Sequence, residues 1–218
     1  MDTATSAEHP AWWRGRTPDL APVWGPHTVV LSGRVSDVDL TAAPLDESQL
    51  RAVRFDRAEV TGVDLSLDEL ALTTMWSSFD GCVFRQRGRR LHRDGYEPQG
   101  SFGNRPCIYR SCTFVGVRLR IRAGFHVGEA RFEDCTFERC RFEEFFSFSA
   151  DFVGCRFVGP IKMAAIYGTD PHTGRRNEIH GNNFRAAGLS DNIGLRADFP
   201  VESQLWPEGF PVGHPPRA

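Results

Sequence analysis

The chain has 218 residues, of which 40% are hydrophobic, and its formal net charge is -2. This length suits one domain with tails, and the near-neutral charge marks out neither a nucleic-acid-binding protein nor a protein of membrane surfaces. The sequence has no apolar run as long as a membrane span or the core of a signal peptide. We therefore expect a cytoplasmic protein whose six cysteines are reduced thiols.

Residues 1–27 have no periodicity and contain the Pro- and Trp-rich stretch WWRGRTPDLAPVWGPH. We predict that this segment is irregular and caps the first turn of the repeat that follows, because the end of a repeat array exposes apolar side chains and unpaired strand edges. An aromatic arm that docks onto a partner is the alternative interpretation. The Pro-rich tail, residues 191–218, is expected to be irregular as well.

From residue 28 to about residue 190, a large apolar residue recurs at every fifth position. This spacing fits neither a helix, with a period of about 3.6 residues, nor an ordinary strand, with a period of two. A small residue often stands two positions before the large one, as Cys135 does before Phe137. A fixed period over most of a chain indicates a repeat architecture. The runs are Val30 to Leu70, Phe79 to Phe84, Tyr109 to Leu119, Phe132 to Phe157 and Ile179 to Leu189.

A period of five is explained if each group of five residues forms one side of a four-sided coil. The large residue and the small one before it then point inward, and coils of about twenty residues stack about 4.8 Å apart. The pattern apolar-x-x-small-x-apolar marks one corner of each coil. It predicts an all-β parallel solenoid of about seven coils, with markers VSDVDL (35–40), FDRAEV (55–60), FDGCVF (79–84), YRSCTF (109–114), FEDCTF (132–137), FVGCRF (152–157) and IHGNNF (179–184).

The chain resembles the pentapeptide-repeat family in segments such as VDL (63–65), CTF (112–114), CTF (135–137) and ADF (150–152). The resemblance covers about residues 28 to 160, with a degenerate coil to about 190, and implies a right-handed, four-sided parallel β-helix. Insertions at about 85–106 and 163–178 interrupt the repeat.

Four cysteines (Cys82, Cys112, Cys135 and Cys155) stand at the same small, inward position of their coils. Zinc sites usually place two cysteines on a tight turn with two residues between them, which is not the spacing here. We therefore predict a ladder of buried, inert thiols, with no metal and no cofactor.

The family resemblance implies a non-catalytic, DNA-mimic-type protein that modulates or protects DNA gyrase or topoisomerase IV, and so confers antibiotic or self-resistance. Residues 36–80 hold ten acids against three arginines, and residues 85–131 hold eleven arginines against three acids. We expect no direct binding to nucleic acid or membrane, and an oligomer is compatible with the sequence. The predicted partner-binding residues are Arg85, Arg87, Arg89, Arg90, Arg93, Asp37, Asp39, Asp56, Glu59, Asp64, Phe146 and Phe148.

Two other functions stay open at this stage. One is a β-helix enzyme that acts on a small molecule or carbohydrate through the two insertions, since loops on a rigid scaffold often carry function. The other is a scaffold or immunity protein for a different partner. The candidate catalytic residues are Asp170, His172, His180, Glu143, Glu144 and His126.

Overall fold

The structure is a computed structural model that describes residues 28–36, 38, 40, 45, 50–87, 98–120, 124–190 and 192–210. Within these ranges the chain forms 21 β-strands and one 3-10 helix, Val201–Ser203, and no α-helix. The strands are β1 (Val29–Val35), β2 (Arg51–Thr61), β3 (Asp64–Ser66), β4 (Leu70–Met75), β5 (Ser78–Asp80), β6 (Val83–Arg85), β7 (Gly100–Ser101), β8 (Cys107–Arg110), β9 (Thr113–Val115), β10 (Arg118–Leu119), β11 (Phe125–His126), β12 (Ala130–Glu133), β13 (Thr136–Glu138), β14 (Arg141–Phe142), β15 (Phe145–Ser147), β16 (Asp151–Val153), β17 (Arg156–Ile161), β18 (Ala164–Tyr167), β19 (Ile179–His180), β20 (Asn183–Leu189) and β21 (Gly194–Arg196).

The strands stack into four sides, and every pairing between named strands is parallel. Side 1 contains the ends of β1 and β2, then β5, β8, β12, β16 and β19. Side 2 contains β3, β6, β9, β13 and the beginnings of β17 and β20. Side 3 contains β10, β14 and the ends of β17 and β20. Side 4 contains the beginnings of β1 and β2, then β4, β7 and β11, followed by the separate sheet of β15, β18 and β21. The predicted all-β parallel solenoid is confirmed.

The corner between side 1 and side 2 has the same length in every coil. The inward residues of the two sides are five positions apart, and the residue in the middle of the corner has a positive φ, as a tight left-handed bend requires. Glycine adopts this conformation most easily, but Ser111 and Asp134 also hold it. The corner residues are Gly62 (φ 66°), Gly81 (59°), Ser111 (50°), Asp134 (52°), Gly154 (65°) and Gly181 (67°).

One of the seven predicted coil markers, FDRAEV (55–60), is out of step by one side. Val60 rather than Phe55 stands in the side 1 ladder, where it pairs with β5, and Phe55 lies on side 4. The marker at this level is VTGVDL (60–65), in which Gly62 forms the corner. The unbroken run from Val30 to Leu70 does not show which residue belongs to which side, because every side of the coil satisfies the same five-residue pattern.

Two columns of stacked aromatic rings fill the core. On side 2, neighbouring rings are 4.5 to 5.0 Å apart with interplanar angles of 7° to 11°, and on side 1 they are 4.7 to 5.2 Å apart. Rings of the two columns meet edge to face, as Phe132 and Phe137 do. Each such pair contributes about 0.5–1.5 kcal/mol beyond its area burial. The columns are Phe79, Tyr109, Phe132 and Phe152 on side 1, and Phe84, Phe114, Phe137, Phe157 and Phe184 on side 2.

All six cysteines are buried and unbridged, and four of them (Cys82, Cys112, Cys135 and Cys155) line the inside of the constant corner. Each thiol of this ladder lies within hydrogen-bond distance of a carbonyl in the preceding coil. Cys112 donates to the carbonyl of Phe79 at 3.5 Å, and Cys135 donates to that of Tyr109 at 3.4 Å. The position therefore suits a small side chain, and a thiol there adds a weak hydrogen bond to a buried carbonyl.

The regular coil includes parts of both predicted insertions. Gly100 and Ser101 pair with β4, and Phe102 is buried against Phe84 and Tyr109, so residues 98–106 belong to the solenoid. Residues 164–167 form β18 and pair with β15 and β21. A hairpin over residues 168–176 is what projects from the second insertion.

Candidate binding site

Side 4 is interrupted between β11 and β15. β11 pairs with β7 and β10, whereas β15 pairs with β18, and within the described ranges no pairing joins β11 to β15. A groove of about 270 Å³ opens at this gap. It is lined by His126, Gly128, Phe146, Phe148 and Ser149. The interruption therefore creates a concave, mostly apolar site on an otherwise regular side.

Two phenyl rings line the groove. Ser147 points inward, so its neighbours Phe146 and Phe148 project outward. Phe146 is 41% exposed, and its ring lies 6.0 Å from that of Phe148. Phe148 packs in turn against Tyr167 at 5.0 Å and His172 at 5.3 Å. One ring is therefore held from behind by the second insertion, while the other is open to solvent.

The hairpin over residues 168–176 stands beside the groove and is held by its own backbone. Thr169 and Arg176 form an antiparallel bridge, and the N–H of Asp170 donates to the carbonyl of Arg175 at 2.8 Å. The N–H of Gly174 donates back to the carbonyl of Asp170 at 2.9 Å. The hairpin is thus a preformed projection, with residues 171–174 exposed at its tip.

The side chain of Asp170 organises the tip of this hairpin. Its carboxylate accepts hydrogen bonds from the N–H groups of His172 at 2.8 Å and Thr173 at 3.2 Å, and from the hydroxyl of Ser149. Burial by itself raises the pKa of Asp170, but these hydrogen bonds outweigh it and leave the pKa below its ordinary value. The carboxylate is therefore engaged in structure and is a poor proton acceptor at neutral pH.

A second carboxylate, that of Asp151, anchors the hairpin to side 1. Its side chain is fully buried and accepts hydrogen bonds at 3.0 Å from Nη1 of Arg175 and from the N–H of Glu178. Nη1 of Arg131 lies 3.7 Å from the other oxygen of Asp151 and 2.8 Å from the carboxylate of Glu178. Cations on both sides compensate the buried negative charge, which is the condition under which such a charge is tolerated.

Asn177 completes the anchor beneath the groove. Its Nδ2 donates to the carbonyls of Phe148 and Tyr167, both at 2.7 Å, and its Oδ1 accepts a hydrogen bond from Arg175 at 2.6 Å. Arg175 also donates to the carbonyl of Ser149. The backbone of Phe148 and Ser149, which forms one wall of the groove, is therefore fixed by the same arginine and asparagine.

The six candidate catalytic residues are not assembled into one site. His126, Asp170 and His172 lie around the groove, whereas the structure places His180 on side 1 and Glu143 and Glu144 at the end of side 3. Burial lowers the pKa of His126 below its ordinary value, so its imidazole is neutral at pH 7. Glu144 accepts a hydrogen bond from Arg120 at 3.1 Å. Among the described residues, no side chain of these six donates to the side chain of another.

The structure describes five of the ten predicted charged partner-binding residues, and four of these five form ion pairs with neighbours. Asp64 and Arg85, two members of the set, pair with each other at 2.9 Å. Asp56 lies 3.0 Å from Arg54 and 3.1 Å from Arg57. The pairing of Glu59 with Arg34 is looser, at 3.7 Å. The remaining members Asp37, Asp39, Arg89, Arg90 and Arg93 lie outside the described residues, and Arg87 is described by its backbone contact to Asp68.

Charges also alternate from coil to coil along side 1. Asp80, Arg110 and Glu133 stand directly above one another, and Nε of Arg110 lies 3.1 Å from the carboxylate of Glu133. Acids and bases therefore alternate on the surface of side 1 at these three coils. A depression of about 520 Å³ near the first coils has the same mixture, with Asp68, Glu69 and Arg87 in its lining.

The inward pairs on the sides of the coil decide the repeat class. Each side places a large residue inward with a small residue two positions before it, as in Cys112 and Phe114 or Cys135 and Phe137. The chain has the pentapeptide-repeat fold. Across the described ranges of this solenoid, no helix is long and apolar enough to cross a membrane, and no group of His, Cys, Asp or Glu side chains is arranged to hold a metal ion.

Comparison with known proteins adds one similarity to this pentapeptide-repeat solenoid. No protein-family model matches the chain, and no curated protein matches its sequence. Among solved structures, it is similar to two trypsin-treated forms of QnrB1, a plasmid-mediated fluoroquinolone resistance protein. The first match has 12% identity and a TM-score of 0.26, and covers 82% of this chain and 77% of QnrB1. The second has 14% identity and a TM-score of 0.22, and covers 84% and 80%.

Sequence reasoning missed the residues that support the groove, namely Ser149, Asp151, Arg175 and Asn177. One signal was available, because Asn177 stands two residues before the inward Ile179, where the solenoid elsewhere has small residues. A polar residue at such a position must find buried partners. The other three carried no pattern, since their partners are contributed by a neighbouring coil.

Proposed function

We propose that the chain is a non-catalytic binding protein that recognises a protein partner through the groove at Phe146 and Phe148. The observation that supports this proposal is a half-exposed phenyl ring in a recess, one wall of which is fixed by hydrogen bonds from Asn177 and Arg175. Aromatic side chains in preorganised recesses are typical anchors of protein interfaces. Catalysis is disfavoured because Asp170, the best-placed carboxylate, holds the hairpin and has a lowered pKa.

We further propose a type II topoisomerase, DNA gyrase or topoisomerase IV, as the partner. This proposal rests on the sequence resemblance to pentapeptide-repeat proteins. The charges do not favour mimicry of DNA as the mode of binding, because Asp56 and Asp64 of the early coils pair with arginines, and a mimic of the phosphate backbone needs a continuous acidic surface. Contact through the groove and the neighbouring hairpin is the mode we expect.

A supercoiling assay with purified gyrase, with and without a quinolone, tests the partner. We expect added protein to change the activity or the drug sensitivity of the enzyme, and Phe146→Ala to weaken that effect about tenfold, since an anchor residue contributes at least about 1–2 kcal/mol. The matched control is Val30→Ala, because Val30 is exposed to a similar degree (46%) on the same side. No effect of excess wild-type protein would exclude these topoisomerases.

The groove is tested separately from the identity of the partner. A protein captured by the wild-type chain should bind Phe146→Ala much more weakly and Val30→Ala equally well. Equal capture by all three chains would show that the groove is not the binding site.

A further inference from the structure

The size of the groove on side 4 limits what it can bind. Its volume of about 270 Å³ lies below the range of about 300–1,000 Å³ that is usual for pockets of cofactors and small-molecule ligands. Its surface is mostly apolar, and two of its five lining residues are phenylalanines, Phe146 and Phe148. The groove therefore suits one large side chain of a partner better than it suits a whole ligand molecule.

The lining of the groove carries no formal charge at pH 7. Besides the two phenylalanines it consists of Gly128, Ser149 and His126, and the imidazole of His126 is neutral because burial lowers its pKa. The carboxylate of Asp170, which lies behind Ser149, is already engaged by three hydrogen bonds of the hairpin. A charged group in the groove would lose its hydration without gaining an opposite charge. The side chain that fits is therefore uncharged.

The hydroxyl of Ser149 is left as a hydrogen-bond acceptor. It donates its only proton to the carboxylate of Asp170, which is ionised at pH 7 and has no proton to give in return. The backbone carbonyl of Ser149 accepts a hydrogen bond from Arg175, so this residue is held at two points. Among the residues that the structure describes, no group donates to the hydroxyl oxygen of Ser149. A group that enters the groove can therefore donate to this oxygen but cannot accept from it.

The ring of Phe146 provides an aromatic wall next to this acceptor. It is 41% exposed, and the ring of Phe148 supports it at 6.0 Å with an interplanar angle of 22°. Phe148 is held in turn by Tyr167 and His172. A second aromatic ring that packs on such a wall is stabilised beyond the burial of its area. An aromatic side chain therefore gains more in the groove than an aliphatic one of the same size.

We propose that the groove binds one tryptophan side chain of the protein partner, with the indole ring against Phe146 and the indole N–H donating to the hydroxyl oxygen of Ser149. The indole N–H is a donor only, and so it matches an oxygen that can only accept. A tyrosine hydroxyl also donates, but its own lone pairs would receive nothing from Ser149. This inference rests on the proposed function, because the tryptophan belongs to the partner that the proposed function requires.

The experiment measures the binding of single amino-acid probes to the full chain, so the partner need not be known. The amide chemical shifts of the ¹⁵N-labelled protein are followed during titration with N-acetyltryptophanamide and with its 1-methylindole analogue, which keeps the ring but lacks the N–H. The unmethylated probe should bind about three- to tenfold more tightly, as expected for one hydrogen bond, and should shift the amides of Phe146 and Ser149. The corresponding derivatives of leucine, tyrosine and arginine should bind more weakly than the tryptophan probe.

Three variants assign the effect to the proposed contacts. Ser149→Ala should bind the two tryptophan probes with equal affinity, because it removes the acceptor of the indole N–H. A hairpin loosened by this substitution would weaken both probes alike, so the ratio of the two affinities reports the hydrogen bond. Phe146→Ala should weaken both probes about tenfold. Val30→Ala is the matched control and should leave both affinities unchanged, because Val30 is exposed to a similar degree.

Three results would overturn the proposal. Equal affinity of the two tryptophan probes for the wild-type chain would exclude the indole hydrogen bond. A preference that persists in Ser149→Ala would exclude Ser149 as its acceptor. Tighter binding of the leucine, tyrosine or arginine probe would exclude tryptophan as the side chain that the groove selects.

The proposed function fails in a different way. Capture of a partner that depends on Phe146, together with no preference between the tryptophan probes, would contradict only the inference about tryptophan. Selective binding of the unmethylated probe without capture of any partner would contradict only the proposed function.

Discussion

Cys155 donates its backbone N–H to the side-chain oxygen of Asn182 at 2.9 Å, across the space between two coils. Asn182 occupies the corner position that Cys155 occupies in the preceding coil. Each residue also donates to a carbonyl one coil earlier, Asn182 to Phe152 at 2.9 Å and Cys155 to Phe132 at 3.4 Å. The amide does what the thiol does, and its oxygen also accepts the hydrogen bond from the N–H of Cys155.

Replacement of Asn182 by alanine should destabilise the solenoid by about 1–3 kcal/mol, because it leaves the N–H of Cys155 buried without its partner and removes a hydrogen bond to the carbonyl of Phe152. Asn182→Cys keeps a donor for that carbonyl and should cost less. Urea unfolding followed by circular dichroism measures both changes. An alanine variant as stable as the wild type would show that these hydrogen bonds contribute little.

Stability should fall in alkaline solution. Burial raises the pKa of Cys107 and Cys140 to about 12, from an ordinary value of 9.0, and also raises that of Cys135. The unfolded chain releases these thiol protons first, so the contribution to stability is complete below pH 9 and is lost as the pH rises from about 9 towards 12. The midpoint of urea unfolding between pH 8 and 10.5 measures this loss.

The double variant Cys107→Ala and Cys140→Ala is the control for the alkaline loss. Its midpoint should depend less on pH than that of the wild type, because two of the responsible groups are absent. An identical pH dependence in the two proteins would assign the loss to other groups.

The substitution Asp151→Asn should loosen the hairpin over residues 168–176 and cost about 3 kcal/mol, because it removes the negative charge between Arg131 and Arg175. Hydrogen exchange of the hairpin amides should accelerate more than that of β5 or β9. Glu138→Gln is the matched control, since Glu138 pairs with a largely exposed Arg139, and it should change stability by less than about 0.5 kcal/mol. Equal exchange rates in wild type and Asp151→Asn would contradict the anchoring role.

Replacement of Ser147, unlike the substitutions above, should not lower the stability of the protein. Its hydroxyl is fully buried, and within the described part of the chain it has no hydrogen-bond partner. Ser147→Ala should therefore leave stability unchanged or raise it by up to about 1 kcal/mol. Ser101→Ala should lower stability by about 1 kcal/mol, because the Ser101 hydroxyl accepts a hydrogen bond from the N–H of Gly103 at 3.1 Å. A clear loss with Ser147→Ala would indicate a bound partner for that hydroxyl.

The sequence was sufficient for the architecture because the five-residue period is a property of each side by itself. It was insufficient to assign Phe55 to the correct side of its coil, because consecutive sides there have the same pattern. Counts of charge along the chain miss the surface ion pairs for a related reason. Asp64 and Arg85 are 21 positions apart in the chain but adjacent in space, so counts along the chain separate charges that the coils bring together.

The groove was beyond prediction for a different reason. It exists because β11 and β15 do not pair, and the absence of a pairing has no signature in either strand. The exposed ring of Phe146 was accessible to prediction, since the register that turns Ser147 inward turns Phe146 outward. Its supporting residues come from other coils and emerge only in the folded chain.

The corner between sides 1 and 2 is constant along the solenoid, whereas the stretch from side 2 to the next side 1 varies in length. Among the described residues, the groove and the hairpin both lie between the end of side 2 and the next beginning of side 1. The stacked rings and the thiol ladder lie at the constant corner, so the length of the variable stretch does not affect them. Loops in the variable stretch can therefore be exchanged or lengthened, because the constant corner keeps the spacing between the coils that carry them.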